Sequence, residues 1–169
     1  MSSTTNTDSK PGTNSVFLKL ASFGWLRLAM VVLVITGIGV STYLLWGYTV
    51  PGAELSCGGS HGCETVKNSP YANVVGVPIP IIGLASYLTL LFLLLAQEIP
   101  FVSEKGWSPY VALAVFAFAL IGVLFSAYLT YLELFVIFAI CRWCVASAII
   151  LMTLLLLSIF NLRHSNQAE

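Results

Sequence analysis

Charged side chains are scarce in this chain: seven Lys or Arg and seven Asp or Glu in 169 residues, or 8%. An ordinary soluble domain carries about 25%. Too few charges are present to coat a water-exposed surface, so a soluble globular fold is excluded. The two signs cancel to a net charge of +0, which leaves no basic field to hold a nucleic acid. Cysteine is confined to two close pairs, Cys57/Cys63 and Cys141/Cys144, with none left over. No internal repeat is visible, and the length leaves no room for a second domain beside a membrane bundle. Hydrocarbon is what abounds, with 58% hydrophobic residues and a mean hydropathy of +0.93. The chain reads as a membrane protein.

Four apolar runs, about 25–46, 80–97, 109–131 and 140–160, are long enough to cross a hydrocarbon core of about 30 Å. The expected fold is all-α, a membrane four-helix bundle over 18–162 with a long cysteine-bearing outer loop between helices 1 and 2. A polar tail, 1–17, is expected to be disordered, and a second tail occupies 163–169. Trp25 and Trp46 stand at the two ends of the first run, where aromatic rings favour the interface. That run is too long for a cleaved signal peptide, and no small-x-small site follows it. Residues 47–77 form the long polar connection, whose glycine density predicts mobility. Pro78 and Pro80 suit a first helical turn. Gln97 to Ser108 reads as a polar turn, and Leu132 to Phe135 as a short connection.

Lys10, Lys19, Arg27, Lys105 and Arg163 fall on one side of this layout, and Lys67 and Arg142 on the other. The positive-inside rule then makes both tails cytoplasmic. Both cysteine pairs face the outer, periplasmic side of the cell (inner) membrane, where disulfide chemistry persists.

Cys141-Arg142-Trp143-Cys144 heads the run Val145 to Phe160, which contains no charged residue. On a helix the two thiols share one face of the first turn, within reach of a disulfide. The positive end of the helix dipole, with Arg142 beside it, favours a thiolate there. Cysteine counting alone leaves the connectivity open. A structural staple gains little from so small a loop. A four-cysteine zinc site fits the second pair but not the wider first one. Covalent haem needs a histidine where Val145 stands. Redox chemistry is the reading that remains. A dithiol at the lipid edge is placed to meet a lipid-soluble quinone, with Cys144 one turn deeper and Cys141 reachable from the loop. Neither a metal nor a haem is expected.

Beyond the cysteines, Glu133 lies between apolar segments near the interface, as a structural anchor or, second, a proton carrier. His61 reads as a solvated loop histidine, with general-base work for the loop thiols as its alternative. Trp143 reads as an interface anchor rather than a quinone stacker.

The loop pair, Asn68-Ser69-Pro70-Tyr71-Ala72, Gly76-Val77-Pro78, Gly83 and Tyr131-Leu132-Glu133 through the CxxC together resemble the vitamin K epoxide reductase family over about 20–160. DsbB-type oxidases share the helix and cysteine-pair count but carry their CxxC in the first outer loop. The resemblance implies a relay that supports disulfide bond formation. A reduced thioredoxin-fold (DsbA-like) oxidase on the outer side attacks the loop pair through Cys63, Cys57 exchanges with Cys141, and Cys144 passes electrons to a quinone from the membrane pool. Ubiquinone, menaquinone and phylloquinone all qualify. Ser69 matches the family's hydroxyl residue near the loop and quinone pocket, with a turn or cap serine as its plain alternative. Epoxide-reducing vertebrate relatives hold an Asn and a Tyr where Ile79 and Ala148 stand here, which favours quinone over epoxide. Many bacterial relatives fuse a thioredoxin-like domain to the last helix; this chain ends at Glu169, so a separate partner is expected. A vitamin K epoxide reductase in the strict sense and a non-enzymatic tetraspan protein with structural disulfides are the alternatives.

Overall fold

The computed structural model describes residues 13–50, 53, 55, 57, 62–74, 76–97 and 106–165, with side chains from 24 onward apart from 108, 164 and 165. Five α-helices occur among them: α1 (Thr13–Thr49), α2 (Gly62–Lys67), α3 (Ile79–Ala96), α4 (Ser108–Leu132) and α5 (Arg142–Ser165). All but α2 are long and apolar enough to cross a membrane, over Gly24–Thr49, Ile79–Ala96, Pro109–Ile137 and Arg142–Arg163. The all-α four-helix membrane bundle is the observed architecture. Between α2 and α3 lie a 3₁₀ turn, Pro70–Ala72, and a two-residue antiparallel ladder of β1 (Asn73–Val74) with β2 (Val77–Pro78).

Lipid supplies no hydrogen bonds, so every polar group along the helices needs a partner in the protein. The hydroxyls meet this need within their own helices. Thr36, Thr42, Ser86, Thr89, Thr130 and Thr153 each donate to the carbonyl four residues earlier, at 2.8–2.9 Å. Pro80 and Pro109 sit in first turns, where a missing N–H costs nothing. Large apolar side chains such as Phe92, Leu124 and Ile149 point outward, as a lipid-facing surface allows. The interior is narrow. Met30 and Val34 from α1, Tyr87, Leu90 and Leu94 from α3, Val115 from α4, and Leu151 and Leu154 from α5 form its buried cluster. Gly37 lets the Tyr87 ring lie against α1, since a Cβ there would overlap the ring. Tyr87 Oη then reaches Ser147 Oγ at 2.8 Å, tying α3 to α5. At the opposite end Asn161 Nδ2 donates to Gln97 Oε1 at 3.3 Å, both buried.

Three local expectations need correcting. The stretch 13–17, expected to be disordered, is the start of α1, helical ahead of the first span. Leu132 to Phe135 is not a connection: α4 runs through Leu132 into a π-helical turn, Glu133–Ile137. Nothing in Glu-Leu-Phe-Val-Ile stops a helix, and the chain leaves it only at Phe138, whose φ of 55° is left-handed. Phe138 N–H and Ala139 N–H both donate to the Glu133 carbonyl. Trp143 is not a plain interface anchor; it is half-buried with its ring 4.9 Å from that of Tyr43 on α1. The expected positions of residues 1–12, of Lys105 and most of the Gln97–Ser108 turn, and of 166–169 lie outside the described residues.

Candidate redox site at the loop end of the bundle

Cys57 and Cys63 form a disulfide with their Cα atoms 6.1 Å apart, and both are buried. Cys63 is held in the first turn of α2. Gly62 precedes it because a Cβ there would overlap the carbonyl of Ile140, so α2 lies directly on the segment that leads into Cys141. A clamp fastens the preceding loop to the same helix. Leu55 N–H donates to Glu64 Oε1 at 2.9 Å, Lys67 Nζ donates to the Ala53 carbonyl at 3.2 Å, and Lys67 and Glu64 pair at 3.7 Å.

Cys141 and Cys144 are free thiols. Cys141 caps α5. Its carbonyl accepts the Val145 N–H at 3.0 Å and its Sγ accepts the Cys144 N–H at 3.4 Å, so a sulfur occupies the place where a hydroxyl or carboxylate oxygen usually satisfies an orphan amide. The hydrogen bond from the Cys144 thiol holds the Cys141 thiol below its ordinary pKa, against an opposing push from burial. Glu133, 4% exposed, accepts the Cys141 N–H on Oε2 at 3.0 Å and also meets the Cys144 thiol. A Glu133 carboxylate oxygen and the Cys141 and Cys144 sulfurs lie within 4.8 Å of one another.

The two pairs meet. Leu55, Cys57, Cys63 and Cys141 belong to one buried cluster, with Tyr43, Tyr48, Val66, Trp143 and Cys144 packed on it. Beneath that cluster a cavity of about 120 Å³ opens among α1, α3, α4 and α5. Cys63, Cys141, Cys144 and Glu133 border it at the loop end, and Tyr87, Ser147 and Leu151 border it deeper in the bundle. Its wall is mostly hydrocarbon with a few hydroxyls, the usual lining of a small-molecule pocket. Ile79 lines it as a purely apolar residue, and Ser69 lines it as well. The Ser69 hydroxyl donates to the Val66 carbonyl at 2.8 Å, so the turn-serine role holds at the same position that faces the cavity. His61 lies outside the described residues.

Glu133 is the residue that sequence reasoning left out of the site proper. Its signal was present: it is a lone acid among apolar residues, eight positions before the CxxC. Only the π-turn, which swings that carboxylate back over the head of α5, makes the signal readable. Tyr48 was not singled out; it lies within electrostatic range of Cys141, Cys144, Glu133 and Glu64.

A sequence profile of the vitamin K epoxide reductase family matches residues 28–159, from early in α1 to late in α5, with all four cysteines inside the match.

Proposed function

This chain belongs to the vitamin K epoxide reductase family, and from that premise we propose that it is a quinone-dependent thiol–disulfide oxidoreductase supporting disulfide bond formation. It is a multi-pass membrane protein of a redox family. In the proposed relay a reduced thioredoxin-fold partner at the outer face attacks the loop disulfide at Cys63. The reduced loop pair then exchanges with a Cys141–Cys144 disulfide through Cys57 and Cys141, which restores the loop bridge and leaves two thiols at the head of α5. The observation that carries the reading is the shared burial of Cys57, Cys63 and Cys141 directly above an apolar cavity bordered by Cys144.

Each step has a physical basis in the residues. Thiolate is the attacking species, and the lowered pKa of Cys141 makes it both a ready nucleophile and a good leaving group. A quinone supplies the two-electron acceptor when bound, and the hydrocarbon wall of the cavity with Ser69, Tyr87 and Ser147 is what would hold it. Sited in the cell membrane with its cysteines outward, the protein would draw electrons from a separate DsbA-like oxidase.

The test uses purified protein, a reduced thioredoxin-fold oxidase and a water-soluble quinone analogue, with quinone absorbance followed over time. Wild type turns over. Cys144→Ser and Cys57→Ser both lose partner-driven turnover, while Cys57→Ser still oxidises a small dithiol through the helix-head pair. Absence of quinone reduction by folded wild type, with menaquinone and ubiquinone analogues both tried, overturns the proposal.

A further inference from the structure

Building on that relay, we propose that Glu133 is its proton acceptor, taking the Cys144 proton as the Cys141–Cys144 bond forms and handing it to the quinone. The inference starts from a count of acceptors. A thiol carries one proton, and the Cys144 thiol meets two groups able to accept it, Cys141 Sγ and a Glu133 carboxylate oxygen. Oxidation consumes one of them. Once Cys141 Sγ bonds to Cys144 Sγ it can no longer hold a proton, and the carboxylate is the acceptor left in a buried corner. Glu133 also borders the cavity beside Cys144, so a proton placed on it faces the space proposed for the acceptor.

The step balances. The Cys144 S–H bond breaks and the S–S bond forms, and the electron pair released goes to the quinone. The Cys144 proton goes to Glu133 and then to one quinone oxygen. The second quinol proton equals the one Cys141 gave up on ionising, returned from water on the outer face.

Position supports the role. Glu133 is fixed at both ends: its backbone carbonyl takes two N–H groups at the end of the π-turn, and its Oε2 takes the Cys141 N–H at 3.0 Å. The carboxylate is therefore oriented before the chemistry begins, as a general base requires. The titratable groups around it are Cys141 and Cys144 at the head of α5 and Tyr48 on α1, which lies within electrostatic range of Glu133, of both thiols and of Glu64 on α2. A purely structural clamp is the competing role, and Glu133→Gln separates the two because an amide oxygen still accepts the Cys141 N–H but cannot take a proton.

Two measurements on detergent-purified full chain decide it. In the first, Cys141 of the reduced protein is alkylated with iodoacetamide across pH, with no quinone present. A carboxylate at Glu133 opposes the Cys141 thiolate, so Glu133→Gln should move the alkylation midpoint to lower pH. An unmoved midpoint means that Glu133 already holds a proton in the dithiol state, which overturns the proposal. In the second, quinone turnover should fall by about 100-fold or more in Glu133→Gln and lose the ionisation seen in the wild-type pH profile. Wild-type turnover and profile in that variant overturn this inference and leave the relay standing, whereas an inactive wild type overturns both. Should Glu133→Gln not fold, Glu133→Asp must shift the pH profile of turnover, and an unshifted profile overturns the proposal.

Discussion

Cys141 performs several tasks with a few atoms. Its carbonyl starts the α5 hydrogen-bond ladder, its Sγ caps an orphan amide, and its N–H orients Glu133. The same contacts tune its reactivity, since the hydrogen bond from the Cys144 thiol stabilises the Cys141 thiolate. Cys144→Ala removes that donor. The alkylation midpoint of Cys141, which that bond holds down in the parent, should rise, because the charged form loses its stabiliser while burial continues to oppose it. Mass-spectrometric labelling across pH checks this. Tyr87 offers a second residue-level test. Its hydroxyl spans α3 to α5 by meeting Ser147 Oγ, and Tyr87→Phe deletes that bond while keeping the ring that fills the space above Gly37. The cost should be about 1 kcal/mol, read from chemical denaturation in detergent.

Among the elements, the short helix α2 and the π-turn do the positioning. α2 is only six residues long, too short to hold itself. Its placement comes from the Glu64–Lys67 clamp on the loop and from the close approach of Gly62 to Ile140. Gly62→Val should push α2 off the α5 entrance and separate the two cysteine pairs. The expected result is a fall of about tenfold or more in partner-driven turnover, on the scale that misplacement of reacting groups costs, with oxidation of a small dithiol by Cys141/Cys144 unchanged. Loss of both reactions together would indicate general unfolding instead. The CxxC and the helix runs were legible in the chain because spacing and hydropathy are local properties. The π-turn was not, since Glu133–Ile137 differs from a loop or an α-helix only in which carbonyl each N–H selects, and that selection depends on Phe138 turning left-handed over α5. The pairing of Glu133 with the thiols was hidden for the same reason.

At the scale of the whole molecule, the antiparallel arrangement sends both cysteine pairs to one end of the bundle and the Gln97–Asn161 bond to the other. The proposed orientation, tails inside and cysteines outside, rests on where the basic residues gather, with Arg27 and Arg163 near the end opposite the cysteines. In intact cells, a membrane-impermeant maleimide added outside after mild reduction should label the loop cysteines, and a tag placed after Glu169 should resist external protease. Labelling only after the membrane is opened would reverse the assignment.

Composition and period by themselves determined that this protein spans a membrane with four helices, and spacing set its cysteines out as two close pairs. Both conclusions rest on free energies that each segment feels alone: transfer of an apolar run into hydrocarbon, and the reach of one thiol to another a turn away. Tertiary structure alone decided that the loop pair lies buried on the helix-head pair, that an apolar cavity opens below them, and that Glu133 faces both thiols. Those contacts join residues far apart in the chain, and their geometry exists only once α1, α3, α4 and α5 pack and the π-turn folds a carboxylate back against the thiols.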